Sequence, residues 1–412
     1  MRLTVLVFIA VLLFGFKMKK GDYVTADIFD SHQTAWAKNF KIAEVGGIDD
    51  ENIKPSMLNF LKRNGVKVLG YDWMPAVTYD KNDYNSPFTL YIYKYKNLTL
   101  NPFGPFIHCN EEGYDWCEDY YLDFANPKVI ELKTVFLKKE LKKGFDGVFF
   151  DWASGGFINE NEYSEIKAYF LKKHPRKNYQ KSVESFYKNL KKSGIFVVTN
   201  QAFRYENLLK YVSYDMTESY ITSIEYIKKG DELIEHTNYY PIDNKSLKAT
   251  LEYVDYLQKL KNKYKKYGFK NFIYMNYIAP IVKNGRFVEP KNAIFFSYAV
   301  AKLTDSIVYA EVVSNRKLER DEIYFYDLGK PVTKNYEEVT PGVYVRKYRY
   351  GFVLVSDVAD EKEIKISWKK RFYDLYNKKW IKNGVVKIKY ETDNLTSKKL
   401  PFGRVYLYKE KK

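Results

Sequence analysis

The 412-residue sequence holds only two cysteines and four histidines. Two thiols exclude a disulfide-dense scaffold and a four-thiolate zinc site. Four histidines (His32, His108, His174 and His236) leave little material for a histidine-rich metal centre. No twelve-residue calcium loop with its spacing of Asp, Asn and Gly occurs. Neither a metal nor a cofactor is therefore expected. The G-x-S-x-G turn of a nucleophile elbow is missing too. No glycine-rich phosphate turn follows the first strand-like runs, which argues against a doubly wound nucleotide-binding sheet. A triad assembled across the fold from one of the histidines stays open, because triads are recognised by geometry rather than by chain order.

What the chain does have is aromatic side chains, with 40 Tyr, 28 Phe and 6 Trp. Sugar-binding clefts use such rings as platforms; Tyr-heavy packing of an ordinary core is the plainer reading. Hydrophobic residues at 46% and charged residues at 29% give a globular balance and exclude a disordered chain. The net charge of +17 is unevenly placed. Residues 341–412 carry 19 basic against 8 acidic side chains, and residues 1–20 carry four basic and none acidic. The stretch between them has 45 against 43. A nucleic-acid enzyme would set its basic patch around the cleft, so no nucleic acid is expected as partner. The basic tail suits an anionic envelope polymer or lipid surface, or is a solvated face.

Residues 3–16 (LTVLVFIAVLLFGF) are uncharged, with Arg2 before them and Lys17, Lys19 and Lys20 after. This pattern fits a secretory signal, or a short uncleaved membrane anchor. The body of the protein is then expected outside the cytoplasm. In an oxidising compartment Cys109 and Cys117 would pair and close a small loop, with two free thiols as the alternative.

Eight short apolar runs recur, at 23–29, 40–46, 66–73, 147–152, 194–200, 211–218, 272–277 and 306–312. Amphipathic stretches at 56–63, 129–142, 162–172, 182–192, 245–266 and 291–303 lie between them. Such alternation predicts a (β/α)8 TIM barrel. The first run is the weakest, and FIHC at 106–109 is its substitute. From 342 on, runs alternate at period two with turns between them and no helical period, which predicts a small antiparallel β-sandwich. The expected organisation is a signal or anchor at 1–20, a catalytic barrel at 21–312, a linker at 313–341 and the sandwich at 342–412.

Catalytic groups of such barrels sit at the C-terminal ends of the strands. Those ends give Glu44, Asp72, Asp151, Asn200, Glu218, Asn276 with Tyr277, and Glu311. Burying charge without partners is costly, so seven polar ends out of eight point to a site, although any one of them could be paired scaffold. The run GFDGVFFDW ends in Asp151 and Trp152, and the run YDMTESY places Glu218 beside Tyr220. Asp146 lies at the start of its strand and is expected to stabilise the bottom of the barrel. Two carboxylates flanking a bond are what most glycoside hydrolysis requires.

The stretch GFDGVFFDWAS, with IFVVTNQ and DMTES behind it, resembles the (β/α)8 glycoside hydrolases related to family 114, which includes endo-α-1,4-polygalactosaminidases. The resemblance covers roughly 40–312. It implies a catalytic pair at Asp151 and Glu218, with Asp72 and Asn200 as supporting substrate-binding positions. Trp73, Trp152 and Tyr220 are candidates for sugar stacking, and Asn276 and Tyr277 for substrate binding. A cationic galactosamine polymer would favour an acidic surface, whereas the barrel segment is nearly neutral; that substrate is not carried over. The reading is an extracytoplasmic hydrolase cleaving a polysaccharide with retention of configuration. Its alternative is a non-catalytic cell-surface protein that binds polysaccharide through the same barrel.

Overall fold

The computed structural model describes residues 16–82, 84–100, 117–154, 160–242, 246–283, 286–313, 322–357 and 361–409. The apolar run up to residue 15, the FIHC segment, and Cys109 of the expected Cys109–Cys117 bridge lie outside the described residues.

Eight strands are laid down along the chain: β1 (Gly21–Thr25), β2 (Phe40–Gly47), β3 (Lys67–Trp73), β4 (Gly147–Asp151), β5 (Val197–Asn200), β6 (Tyr214–Glu218), β7 (Asn271–Ile278) and β8 (Ile307–Val312). They form one sheet in chain order, parallel where the register is defined. Helices alternate with them: α1 (Ser31–Ala37), α2 (Pro55–Arg63), α3 (Pro87–Lys94), α4 (Pro127–Leu141), α5 (Glu160–Lys173), α6 (Tyr179–Lys192), α7 (Leu247–Tyr264) and α8 (Lys291–Leu303). Parallel strands in chain order with helical crossovers make this a (β/α)8 TIM barrel, followed by a β-sandwich.

The local chemistry accounts for these elements. β4 reads GVFFD and is buried at every position but the last, as a strand covered on both faces must be. α6 buries Tyr179, Ser182, Val183, Phe186, Tyr187 and Leu190, one stripe of a 3.6-residue period. Asn178 caps it by accepting from the Lys181 N–H. α4 starts with Asn126 as its cap and Pro127 in the first turn, where a missing N–H costs nothing. β1 ends at Thr25, sooner than the apolar run suggested, because turn chemistry takes over. Asp27 accepts from the Phe29 N–H (2.8 Å), and Asp30 caps α1 by accepting from the His32 N–H (2.7 Å).

The chain divides into two compact units. The first comprises Val24–Thr217 and Leu260–Phe272. Along its C-terminal rim, backbone bonds clasp one strand end to the next: Met74 N–H to Asp151 O (3.2 Å), Ala153 N–H to Asn200 O (3.2 Å) and Gln201 N–H to Met216 O (2.9 Å). Trp152 and Gln201, each the first residue past its strand, are left-handed at φ 51° and 61°.

The second unit comprises Glu218–Lys259 and Ile273–Lys412, with the segment that ends at Tyr23. Its C-terminal part contains β9 (Glu337–Thr340), β10 (Val343–Tyr348), β11 (Gly351–Ser356), β12 (Lys362–Lys365), β13 (Phe372–Asp374), β14 (Lys379–Ile381), β15 (Val385–Ile388) and β16 (Phe402–Leu407). Six make an antiparallel sheet in the order β9-β10-β11-β16-β13-β14, and β12 pairs with β15. Val343, Val345, Phe352, Leu354, Phe372 and Tyr406 of the larger sheet share a core with Ile364, Val386 and Ile388 of the smaller. Against β16 lies the almost wholly buried α8. A Cβ on Gly403 would come 2.4 Å from Phe296 Cα, so that close approach requires glycine.

Phe16 is buried in this unit, with ring centroids 5.0 Å from Tyr373, 5.8 Å from Trp380 and 6.1 Å from Tyr326. Behind it Lys19 N–H donates to Phe325 O (2.8 Å) and Asp327 N–H to Lys17 O (2.9 Å). Phe16→Ala should therefore cost about 3–5 kcal/mol, the range for a buried Phe. Chemical denaturation reads this out; an unchanged midpoint would contradict it.

Candidate active site

Asp151 ends β4, half-buried, with its carboxylate held by three donors. Tyr71 OH reaches Oδ2 at 3.0 Å, and Asn200 Nδ2 and the Trp152 N–H each reach Oδ1 at 2.9 Å. The side chains come from strands on either side: β3 supplies Tyr71 and β5 supplies Asn200. Register sets them together, since Trp73 pairs with Asp151 and Phe150 with Thr199. Strand side chains alternate, so Tyr71, Phe149 and Asp151 share one face of the sheet, and the Tyr71 and Phe149 rings stack at 6.1 Å. Burial and the Asp151 charge push the Tyr71 hydroxyl far above the usual phenol range; it stays a donor. Tyr71 lies within an apolar run and no spacing signal marked it, so sequence reasoning missed it.

Asp72 falls on the opposite face, as the same alternation dictates. It is buried against Lys133 of α4 at 2.7 Å. Burial raises its pKa to about 6, with Lys133 pulling the other way. The expected substrate-binding carboxylate is thus already committed to an ion pair. Trp73 and Trp152 are half-buried and meet edge to face (5.8 Å, 84°), and Tyr121 lies edge-on to Trp73 (5.7 Å). A cavity of about 400 Å³ opens beside this rim. Asp49, Asp50, Glu51, Asp72, Tyr71 and Trp73 line it, and among the described lining residues Lys133 is the one cation.

Asn200 is buried and spends its amide on Asp151. Asp215 on β6 is fully buried and accepts from Thr199 Oγ1 (2.7 Å), the Ala202 N–H (2.9 Å) and the Phe203 N–H (2.8 Å). Burial outweighs these donors and raises its pKa to about 7. It anchors the turn after β5. Asp146 accepts from the Val68 N–H (2.9 Å) and pairs with Lys62 (3.3 Å), a stabilising role at the strand start.

In the second unit, Glu218 at the end of β6 is half-buried and accepts a hydrogen bond from Tyr277 OH. Asn276, expected to bind substrate, is fully buried. Its Oδ1 accepts from the Ile221 (3.3 Å) and Thr222 (3.2 Å) N–H groups, and its Nδ2 donates to Tyr274 O (3.2 Å). It fixes the chain that leaves Glu218. Tyr220 stacks on Tyr253 (4.3 Å, 14°), so one of its faces is taken. After β6 the chain forms a hairpin, Thr222–Lys229 against Glu232–Tyr239, in which His236 bridges Glu225 (2.8 Å) and Asp393 (3.1 Å). In the first unit His174 contacts Asp123 (2.8 Å). Among the described residues no cluster of three or more His, Cys, Asp or Glu is set to hold a metal.

No protein-family model matches the sequence, and no curated protein does. Among solved structures, the chain is similar to the glycoside hydrolase domain of PelA from Pseudomonas aeruginosa, with TM-score 0.42 and 14% identity over 73% of this chain and 96% of that one. Aspergillus fumigatus Ega3, solved in complex with galactosamine, gives 0.39 and 14% over 73% and 92%. A maltogenic α-amylase, AmyB from Thermotoga neapolitana, gives 0.46 and 11% over 90% and 91%. The likeness is one of fold.

Lys133→Met should destabilise the fold by about 3–5 kcal/mol, because it leaves a buried carboxylate uncompensated. Asp72 titrates near 6, above its unfolded value of about 3.9. The folded form therefore holds the proton better, and this group's contribution to stability falls as pH rises between those values. Without Lys133 the fall extends to higher pH, so the deficit should be larger at pH 8 than at pH 5. Denaturant midpoints at the two pH values test this; an equal deficit would show that Asp72 does not depend on its ion pair.

Proposed function

We propose that the protein is a glycoside hydrolase in which Asp151 is the nucleophile and Glu218 the general acid/base. The observation that carries this reading is the three-donor clamp on Asp151. A carboxylate that accepts three hydrogen bonds while half-exposed at the C-terminal end of a barrel strand is held in one orientation where barrel enzymes place their reactive groups. Glu218 ends the strand two further along the same sheet. The resemblance to the family-114 group supports the same two residues.

In the first step an Asp151 oxygen attacks the anomeric carbon, the glycosidic C–O bond breaks, and the leaving oxygen takes the Glu218 proton. In the second, water attacks the anomeric carbon and gives a proton to Glu218, and the Asp151 ester bond breaks. Two inversions give net retention. Trp73, Trp152 and Tyr220 are the aromatic side chains proposed to stack on a sugar.

For the substrate, the cavity lined by Tyr71, Asp72 and Trp73 bears more directly than the net charge of the barrel. Asp49, Asp50 and Glu51 line it, and the one cation among its described lining residues, Lys133, is paired with Asp72. Such a cleft favours a polysaccharide with free amino groups, and galactosamine, the ligand named for Ega3, is of that kind. We further propose that the protein acts outside the cytoplasm, which the apolar run at 3–16 between Arg2 and Lys17 supports. The basic residues of 341–412 would then face an anionic envelope surface.

Asp151→Asn and Glu218→Gln should each lower hydrolysis by orders of magnitude while the thermal midpoint holds, since acid–base help alone is worth roughly 10²–10⁴-fold. Reducing-end release from a panel of neutral, acidic and amino-sugar polysaccharides measures this. Near-normal turnover in either variant removes that residue from the mechanism, and pulldown without release by the wild type favours a binding protein. Proton NMR of the first-formed anomer should show retention, and an inverted product would overturn the nucleophilic role of Asp151.

A further inference from the structure

Each of the two carboxylates assigned above receives a hydrogen bond from a tyrosine on another strand. Tyr71 of β3 donates to Asp151 at 3.0 Å, and Tyr277 of β7 donates to Glu218. Both phenols are half-buried at the C-terminal ends of their strands. Tyr187 gives its hydroxyl to backbone (Ala153 O, 2.9 Å), and other tyrosines, such as Tyr336 on Asp255 (2.8 Å), hold acids away from the barrel strand ends. Tyr71 and Tyr277 spend theirs on half-exposed acids, where a phenylalanine would fill the same volume. We propose that Tyr71 and Tyr277 are positioning residues that set the ionisation of the reactive pair, Tyr71 holding Asp151 charged for attack and Tyr277 favouring the charged form of Glu218. This rests on the assignment of Asp151 and Glu218 as that pair.

A donor to a carboxylate stabilises its charged form and lowers its pKa. Among the described residues, the charges that act on the Tyr71 hydroxyl besides Asp151 are Asp72, which pairs with Lys133, and Glu44 of β2, whose Oε1 accepts from the Gly46 N–H (3.0 Å). Ionising Tyr71 would add negative charge among Asp151, Asp72 and Glu44, which keeps it a neutral donor. On the far side of Tyr277, Glu311 of β8 pairs with it in register. A hydrogen bond that favours ionised Glu218 does not help it give up a proton to a leaving group at high pH. It helps the second step, in which Glu218 must be charged to take a proton from water.

The two phenols thus act on opposite limbs of the pH profile. The acid limb of kcat/KM reports the nucleophile losing its proton, and the alkaline limb reports the general acid losing its own. Tyr71→Phe should move the acid limb up by about one pH unit, the size expected for one hydrogen bond to a charged group. Tyr277→Phe should move the alkaline limb up by a similar amount. It should also slow breakdown of the glycosyl–enzyme relative to its formation, seen as a product burst.

The test combines carboxyl ¹³C titration of the free protein, with Asp151→Asn and Glu218→Gln identifying the signals, and pH profiles on an α-1,4-linked galactosamine oligomer. The expected result is that Asp151 titrates higher only in Tyr71→Phe and Glu218 higher only in Tyr277→Phe, with the matching limb displaced. Unshifted carboxyl titrations in folded variants would overturn the inference even if Asp151→Asn and Glu218→Gln are inactive. Full activity of those two variants would instead overturn the catalytic assignment, whatever the titrations show. A merely structural role would lower activity at all pH values without moving either limb. If one tyrosine variant does not fold, the other tests the same statement on its own acid.

Discussion

Three donors from three stretches of backbone converge on one carboxylate, and the rim of the first unit is organised by that convergence. Tyr71, Asn200 and the Trp152 N–H can meet Asp151 only if β3, β4 and β5 keep their register. A slip of one residue turns every side chain of a strand to the other face, which would send Tyr71 toward the helices and bring Asp72 inward. The backbone bonds from Met74 to Asp151, Ala153 to Asn200 and Gln201 to Met216 pin that register just where the strands end. Left-handed Trp152 and Gln201 let the chain leave the rim at once after these bonds. Such conformations cost a non-glycine residue on the order of 1–3 kcal/mol, and they sit here beside the clamp.

Strand parity then sorts the acids. On β3, Tyr71 faces Asp151 while Asp72 faces Lys133 of α4. On β6, Asp215 is turned to Thr199 and the Ala202 and Phe203 N–H groups, and Glu218 falls on the alternate side. The acids on the helix side are fully enclosed and spend their oxygens on fixed partners. On the other side Asp151 and Glu218 are half-exposed, whereas Glu44 and Glu311 are buried. Proximity to a strand end is therefore necessary for a reactive role but does not confer one; parity decides which polar ends hold the barrel together and which face its mouth.

Much of this was legible in the sequence. Each of the eight apolar runs contains or overlaps a barrel strand, and the six amphipathic stretches all became helices, because burial on both faces leaves an unbroken apolar signal. The motifs ending in Asp151 and Glu218 stood out since an acid after such a run breaks the pattern. Tyr71 did not, because tyrosine belongs in an apolar run and its hydroxyl carries no periodic signature. Asn276 was misplaced for the converse reason. A carboxamide at a strand end looks like a ligand-binding group, and only the path of the backbone at Ile221 and Thr222 shows what it bonds. The hairpin Thr222–Lys229 with Glu232–Tyr239 had a readable turn at Gly230-Asp231, with Gly230 at φ 65°. Its alternation was obscured because charged residues fill positions on both faces.

Charge is the property that a count over the sequence resolves least. The barrel segment counts 45 basic against 43 acidic residues, which suggested no preference for a cationic ligand. Counting treats every lysine as equally available. Lys133 is buried, its ammonium held by Asp72 and lying over the Phe88 and Phe136 rings. Within the cavity lined by Tyr71, Asp72 and Trp73 that cation cancels one acid and leaves Asp49, Asp50 and Glu51 among its described lining residues. Lysines on the outer faces of the helices, such as Lys138 and Lys139 of α4, are exposed to solvent, where screening confines their influence to about 10 Å at ordinary ionic strength. A near-zero sum over the barrel is thus compatible with an anionic cleft, because fold and pairing, and not the total, decide which charges a substrate meets.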